Sequence, residues 1–332
     1  MSAAGNLTTN IIYSFLVKYL YGKDTTEKLD LCLRGPIYSG YNSKIFYVSC
    51  SRLPYPCALK ICVHSRTTLP DLDAAKQQYS TLEKVIRVLP SDSRYRVPRP
   101  YLLMEPEGAL LTEWISGKNL SDMLLIFVRG THRAEELMQQ SAAWLRIFHD
   151  SRQLQPGTLD TNAKLGVIDN LLKHCVIKDK LLSAGYSCLT ALADSASDIK
   201  LPRSWLHGDF KSDNLIVSDA HVYGIDIQAR YENVVVYDLA SFLNHIELSL
   251  NCLRYPLLSL YQQRLYRAFL DQYIGSTHID IELPLLWVRL YLLLSGRATV
   301  RNSMHRSIHG RYLESLYRRA TAKILSKLYT LL

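Results

Sequence analysis

The stretch "LHGDFKSDNLIV", Leu206 to Val217, sets Asp209, Lys211, Asp213 and Asn214 just ahead of a run of β-formers, and a further acid, Asp226, follows in "GIDI". If Ser218 to His221 turn the chain, Val217 lies opposite Val222. Counting outward then brings Asn214 opposite Ile225, beside Asp226. The pair offers a carbonyl oxygen and a carboxylate, hard ligands of the kind Mg²⁺ takes while keeping waters and sharing substrate phosphates. Asp209 precedes them in the loop. A carboxylate there can accept a hydroxyl proton, or orient the hydroxyl for in-line attack on a metal-bound phosphate. Lys211 adds positive charge beside a transferred group. The chemistry that these residue types and spacings suit is phosphoryl transfer.

"HGDFKSDN" is similar to the loop pattern H-G-D-x-x-x-x-N of the aminoglycoside and choline phosphotransferase-like family, relatives of the protein kinases. His207, Gly208, Asp209 and Asn214 match it position by position. "GIDI" resembles the family's metal-binding Asp segment and "YDLASFL" its next marker. The resemblance implies that Asp238 caps the following helix and braces the loop, and that His207 orients the loop by hydrogen bonding without serving as base. It also implies ATP and Mg²⁺ as cofactors and a hydroxyl-bearing small molecule or glycan as acceptor. The surplus of positive charge adds the expectation of an anionic acceptor, such as a sugar phosphate or a lipid-linked saccharide. Asn244, His245 and Glu247, on the helix after the marker, either face the acceptor or form a solvated face.

The same resemblance extends upstream. In "CALKIC" the side chains of Ala58, Lys60 and Cys62 share one strand face. Lys60 resembles the lysine that contacts the α- and β-phosphates, and Ala58 leaves room for adenine; an ordinary exposed strand lysine is the plain alternative. "YSGYNSK" stands where a phosphate-covering turn belongs, with backbone N–H groups around Gly40, Asn42 and Ser43, although it lacks the protein-kinase glycine pattern and is equally an ordinary hairpin turn. "LLTEWISG" resembles the connection between lobes, where main-chain groups from Glu113 to Ile115 meet the adenine edge. One departure stands out. Relatives carry a Glu on the helix after the lysine strand, whereas "QYSTL" puts Gln78 there, able to accept a hydrogen bond from Lys60 but without charge. Glu83 substitutes only if that helix is rotated.

These residues need elements to hold them. Helical spacing predicts a helix over Thr9 to Tyr21, period-two runs predict antiparallel strands through "GPIYSGYNSKIFYVS" and "PCALKICV", and a helix follows from Asp71 to Val88. "YLLME" and "ALLTEWI" read as two more strands. Beyond Gly117 the pattern is helical over Ser121 to Val128, Ala134 to His149, Ala163 to Ala193, and nearly everything after Tyr237, with the loop and its hairpin as one island. The expected fold class is α+β and bilobal, protein-kinase-like: a small antiparallel-sheet N-lobe over residues 1–116 and a large helical C-lobe over 117–332.

Composition bounds the partners. The chain has 332 residues, 48% hydrophobic and 21% charged, as a globular protein does. Of its formal charge of +9, +7 lies from Arg297 onward, where eight arginines and lysines face Glu314 alone. Seven dispersed cysteines without a C-x-x-C pair fit a reduced compartment, and the Cys50, Cys57, Cys62 group matches no zinc spacing. His149, His305 and His309 read as surface or packing histidines. No secretion signal is evident, and "LPLLWVRLYLLL" reads as a buried helix; a cytoplasmic location is expected. From Gly310 on, Leu313, Leu316, Tyr317, Ala320, Ile324 and Leu328 form an apolar stripe opposite a basic face. That helix either docks on the large lobe, the favoured expectation, or rests on the inner, anionic face of a membrane. Nucleic acid is not expected, for want of any recognised module.

Two other functions fit part of the pattern. A protein Ser/Thr kinase would account for Lys211, but "DIQ" stands where D-F-G is needed and no A-P-E segment follows. A nucleotide-binding scaffold or pseudokinase with little turnover would account for Gln78.

Overall fold

The computed structural model describes residues 9–22, 30–40, 42–64, 67, 69–90, 93–126, 131–151, 154–174, 179–218, 220–228, 231–250, 258–275, 280–304 and 307–331. Cys175, Cys252 and His305 lie outside them. The chain divides into two compact units, Met1–Gly117 with Ser218–Ile225, and Lys118–Val217 with Asp226–Leu332.

In the first unit, α1 (Thr9–Tyr21) precedes strands β1 (Cys32–Ser39), β2 (Ser43–Ser49) and β3 (Cys57–Cys62). Helix α2 (Leu72–Val88) and strands β4 (Tyr95–Arg96), β5 (Pro100–Met104) and β6 (Ala109–Glu113) follow. Five strands form an antiparallel sheet in the order β1-β2-β3-β6-β5. Alternation along β3 buries Leu59 and Ile61 in a core shared with Ile12 and Leu16 of α1, and leaves Ala58 and Lys60 on the other face. Helix α2 starts at Asp71, whose side chain accepts the Ala74 N–H at 3.0 Å. It packs on β3, β5 and β6, and its buried Ala75, Leu82 and Val85 stand apart from the α1 cluster, so it covers the Lys60 face. Gln78 lies on that same stripe, one turn from Ala75 and from Leu82. Strand β4 falls within "SDSRYRVPRP", between α2 and β5.

The second unit opens with β7 (Lys118–Asn119), α3 (Leu120–Ile126) and α4 (Thr131–Asp150), then β8 (Gln155–Gly157), α5 (Thr161–Lys173), α6 (Lys180–Ala191), α7 (Ala193–Ser197), β9 (Leu201–Trp205) and β10 (Leu215–Val217). Strand β11 (Val222–Gly224) belongs to the first unit, paired in parallel with β4. The chain then gives β12 (Glu232–Val234), α8 (Val236–Leu250), α9 (Leu258–Ile274), α10 (Glu282–Met304) and α11 (Ile308–Leu328). The single long helix expected over Ala163 to Ala193 is two, because Asp179 accepts the Leu181 and Leu182 N–H groups and starts α6 afresh. An antiparallel sheet, β12-β9-β8, adds strands beyond the one β island expected in this part of the chain. Its strands are three to five residues long and β9 carries Pro202, too little chain for alternation to register.

Helix α10 is long and apolar enough to cross a membrane, yet most of it is buried within the unit. Its two buried cations are paired: Arg289 with Glu247 at 3.3 Å, and Arg297 with Asp179 at 2.7 Å and Glu314 at 3.1 Å. Helix α11 packs on α10, α6 and α8 with Leu316, Ala320, Ile324 and Leu328 buried, which occupies the apolar stripe internally. Arg311, Arg318 and Arg319 remain on the outside.

Candidate active site

The loop from Leu206 to Asn214 is held from below by an aromatic seat. Phe210 is fully buried and stacks on Trp144 at 5.8 Å between ring centroids; Trp144 in turn stacks on Phe148 at 5.4 Å. His207 meets Trp144 and Phe210 edge-on. Leu206 and Phe210, the apolar residues flanking the polar cluster, were the available sequence signal for this seat. His207 is wholly buried, its Nδ1 accepts the Asp209 N–H at 3.4 Å, and its Nε2 has no partner among the described residues. Burial pulls its pKa below the ordinary histidine value, against the nearby carboxylates of Asp238, Asp209 and Asp226. An enclosed imidazole packed on these rings orients the loop.

Asp238 performs the bracing expected of it but not the capping. It sits in the first turn of α8, where Val235 is the residue that accepts the Leu239 N–H. Its carboxylate instead accepts the N–H of His207 at 2.6 Å and of Gly208 at 3.0 Å. His149 completes this support. It is buried, not superficial, with Nε2 3.1 Å from Asp238 Oδ2 and Nδ1 2.6 Å from the Tyr273 hydroxyl. One neutral tautomer satisfies both contacts: Tyr273 O–H donates to Nδ1, and Nε2–H donates to Asp238. Nothing in the sequence joined these three residues, since they come from α4, α8 and α9.

Gly208 turns the loop at φ +84°, and a β-carbon there would lie 3.1 Å from Cβ of Gln228. The Gln228 N–H donates to the His207 carbonyl at 2.8 Å, so the residue that replaces the glycine of D-F-G stitches the two segments. Asp226 has φ 58°, a left-handed backbone that costs a non-glycine residue about 1–2 kcal/mol.

Above this platform, Asp209 Oδ2 accepts from Lys211 Nζ at 2.7 Å and from Asn214 Nδ2 at 3.0 Å, and Asn214 Nδ2 also reaches the Asp209 carbonyl at 2.9 Å. With its nitrogen so committed, Asn214 turns its amide oxygen away from Asp209. Burial lowers the Lys211 pKa, but Asp209, with Asp213 and Asp226 adding, more than offsets it and leaves the ammonium above its ordinary value. Asp226 is thus close enough to act on both Lys211 and His207. Among the described residues no three His, Cys, Asp or Glu gather as a metal cluster. The Asn214 amide oxygen and the Asp226 carboxylate are donors of the type that a Mg²⁺ keeping water and phosphate oxygens takes.

Asp213, unassigned from its type and position in the loop, is a tie. Its carboxylate accepts from Ser121 Oγ and lies 3.4 Å from His245 Nε2, while His245 Nδ1 meets Ser212 Oγ at 2.9 Å. The His245 contact, then Ser121 against the cost of burial, lowers its pKa to about 2. Asn244 and Glu247 do not form a solvated face. Both are buried in a network with Arg289, whose Nε donates to Asn244 Oδ1 at 2.9 Å.

In the first unit, Lys60 lies opposite Ile45 on β2 and Leu110 on β6. Gly40 and Ser43 close the β1–β2 hairpin through a 2.9 Å backbone bond, and the Asn42 carbonyl accepts the Val63 N–H. The connection is more occupied than expected: the Glu113 N–H donates to Arg99 O at 2.8 Å and the Trp114 N–H to Pro56 O at 2.9 Å. Extended pairing takes both donors, and among the described residues the Ile115 amide makes no such bond.

Comparison with known proteins agrees with this architecture. The chain matches the model of the phosphotransferase enzyme family over residues 60–269. No curated protein sequence matches it. Among solved structures it resembles an ethanolamine kinase of Plasmodium vivax (15% identity, TM-score 0.62), covering 97% of this chain and 91% of that one. The choline kinase LicA of Streptococcus pneumoniae is similar at 16% identity and TM-score 0.60, covering 96% and 99%. A thermostable mutant of aminoglycoside phosphotransferase APH(4)-Ia, in ternary complex with AMP-PNP and hygromycin B, shares 14% identity and a TM-score of 0.60 over 94% and 97%. With the family model spanning more than half its length, the chain belongs to the phosphotransferase enzyme family.

Proposed function

We propose that the protein transfers the γ-phosphate of ATP, with Mg²⁺, to a hydroxyl of a small molecule or glycan. The observation that carries this is Asp209: its carboxylate is fixed on one oxygen by Lys211 and Asn214, in a loop whose amides Asp238 holds. That leaves Oδ1 to take the acceptor proton or orient the hydroxyl. Lys211, already charged beside Asp209, is placed to meet the transferring group. Asn214 and Asp226 would hold the Mg²⁺, which supplies charge neutralisation at the phosphates. Lys60 is assigned to the α- and β-phosphates, Ala58 to the space for adenine, the Gly40, Asn42 and Ser43 turn to the phosphate cover, and the Ile115 amide to the adenine edge. The solved APH(4)-Ia complex with AMP-PNP and hygromycin B supports the pairing of nucleotide and small acceptor.

A peptide acceptor is disfavoured. Between Asp226 and α8 the chain is short, and its Glu232–Val234 part is paired with β9, which leaves little room for a peptide-docking segment. The test is a screen of sugars, amino alcohols, aminoglycosides and peptides with γ-labelled ATP. Label should appear on a non-peptide hydroxyl. Mg²⁺-dependent stabilisation by ATP, with no transfer to any acceptor, would establish the scaffold instead.

A further inference from the structure

Lys164, in the first turns of α5, holds its ammonium over two tyrosine rings of other helices. Nζ lies 5.2 Å from the ring centre of Tyr237, on α8, and 5.8 Å from that of Tyr291, on α10. Both are within the reach of a cation–π contact. Among the described residues no carboxylate oxygen lies at ion-pair distance from it. The nearby acid, Asp160, is occupied in capping α5 through the Ala163 N–H at 3.0 Å. Burial first, then the neighbouring Tyr291, Asp160 and Tyr231, raises the Tyr237 hydroxyl pKa, so the ring stays neutral and does not cancel the ammonium charge.

That distinction matters physically. A lysine fixed by a salt bridge has its charge spent, whereas one fixed on ring faces is oriented with its unit charge intact and N–H donors left over. The position is tied to the loop at two points. Tyr237 immediately precedes Asp238, whose carboxylate holds the His207 and Gly208 amides. Tyr231, 54% exposed and near both other rings, offers its carbonyl to the Leu206 N–H at 3.4 Å.

We propose that Lys164, presented by Tyr237 and Tyr291, is a specificity residue that binds an anionic group, phosphate or carboxylate, of the acceptor. This rests on the phosphotransferase function proposed above and names its acceptor class. A charge-assisted contact of this kind contributes enough that its loss costs about tenfold or more in affinity.

The experiment is calorimetric binding on the full chain, with glycerol phosphate against glycerol and gluconate against glucose, and choline as the cationic probe. The wild type should bind each anionic probe more tightly than its neutral parent. Lys164→Met should lower anion affinity about tenfold, to the level of the parent, and Lys164→Arg should keep it; thermal melting of both variants checks that the fold is intact. With an active anionic acceptor, Lys164→Met should raise KM and leave kcat nearly unchanged. Equal anion binding by the wild type and Lys164→Met, no preference of the wild type for any anionic probe, or tighter binding of choline would each overturn the assignment. Binding is read without turnover, so a failure of phosphate transfer counts against the proposed function and not against Lys164.

Discussion

Asp238 organises more of the site than any of the residues assigned to chemistry. Its two oxygens take two loop amides and the His149 imidazole, with His149, His207 and Asp238 itself buried. Asp238→Asn cannot accept from all three donors and strands at least one buried N–H, so it should destabilise the protein by about 1–3 kcal/mol, measured by urea unfolding. Tyr273→Phe removes only the hydroxyl donor to His149, and about 1 kcal/mol is expected. Gly208→Ala faces both the left-handed backbone and the Gln228 side chain; loss of about 1–2 kcal/mol and of activity should follow together. The grouping of Asp209, Lys211 and Asn214 was legible because the three stand within six residues of one loop. His149, Tyr273 and Trp144 were not, because support of that kind comes from helices far apart in the chain and leaves no local pattern.

At the scale of elements, α1, α2 and the strands from β1 to β6 followed from periodicity and caps, whereas three short strands of the second unit and the break before α6 did not. The start of α6 is marked by a single residue. Asp179 caps α6 and binds Arg297 of α10 bidentately, with Arg301 at 2.5 Å. Burial raises its pKa, but the Leu182 amide and the two arginines outweigh it and bring it to about 2 from 3.8. A carboxyl whose folded pKa is depressed contributes stability that is complete above the unfolded value and is lost as pH falls through the folded one. The stability gap between wild type and Asp179→Asn should therefore shrink between about pH 4 and pH 2. At neutral pH, Asp179→Ala leaves buried Arg297 with Glu314 alone and should cost about 3 kcal/mol. A flat difference in stability across the acid range would disprove the clamp.

Across the whole molecule, the excess positive charge was visible in sequence, but its use was not, since an amphipathic basic helix docks on protein or on lipid with the same pattern. Here the apolar stripe of α11 is buried on α10, α6 and α8, and Glu314 reaches Arg297. Truncation after Ser307 should uncover that surface and give aggregated or molten protein by size exclusion and circular dichroism; a monomeric, cooperatively melting product would contradict the docking. The proposed chemistry has a carboxylate in the loop of the second unit act on a hydroxyl. The decisive measurement is a single-turnover transfer of γ-labelled phosphate by wild type and Asp209→Asn, with ATP binding followed in parallel. Transfer should fall by about a hundredfold or more, as loss of a general base requires, while ATP binds both proteins alike. Undiminished transfer by Asp209→Asn would contradict the account.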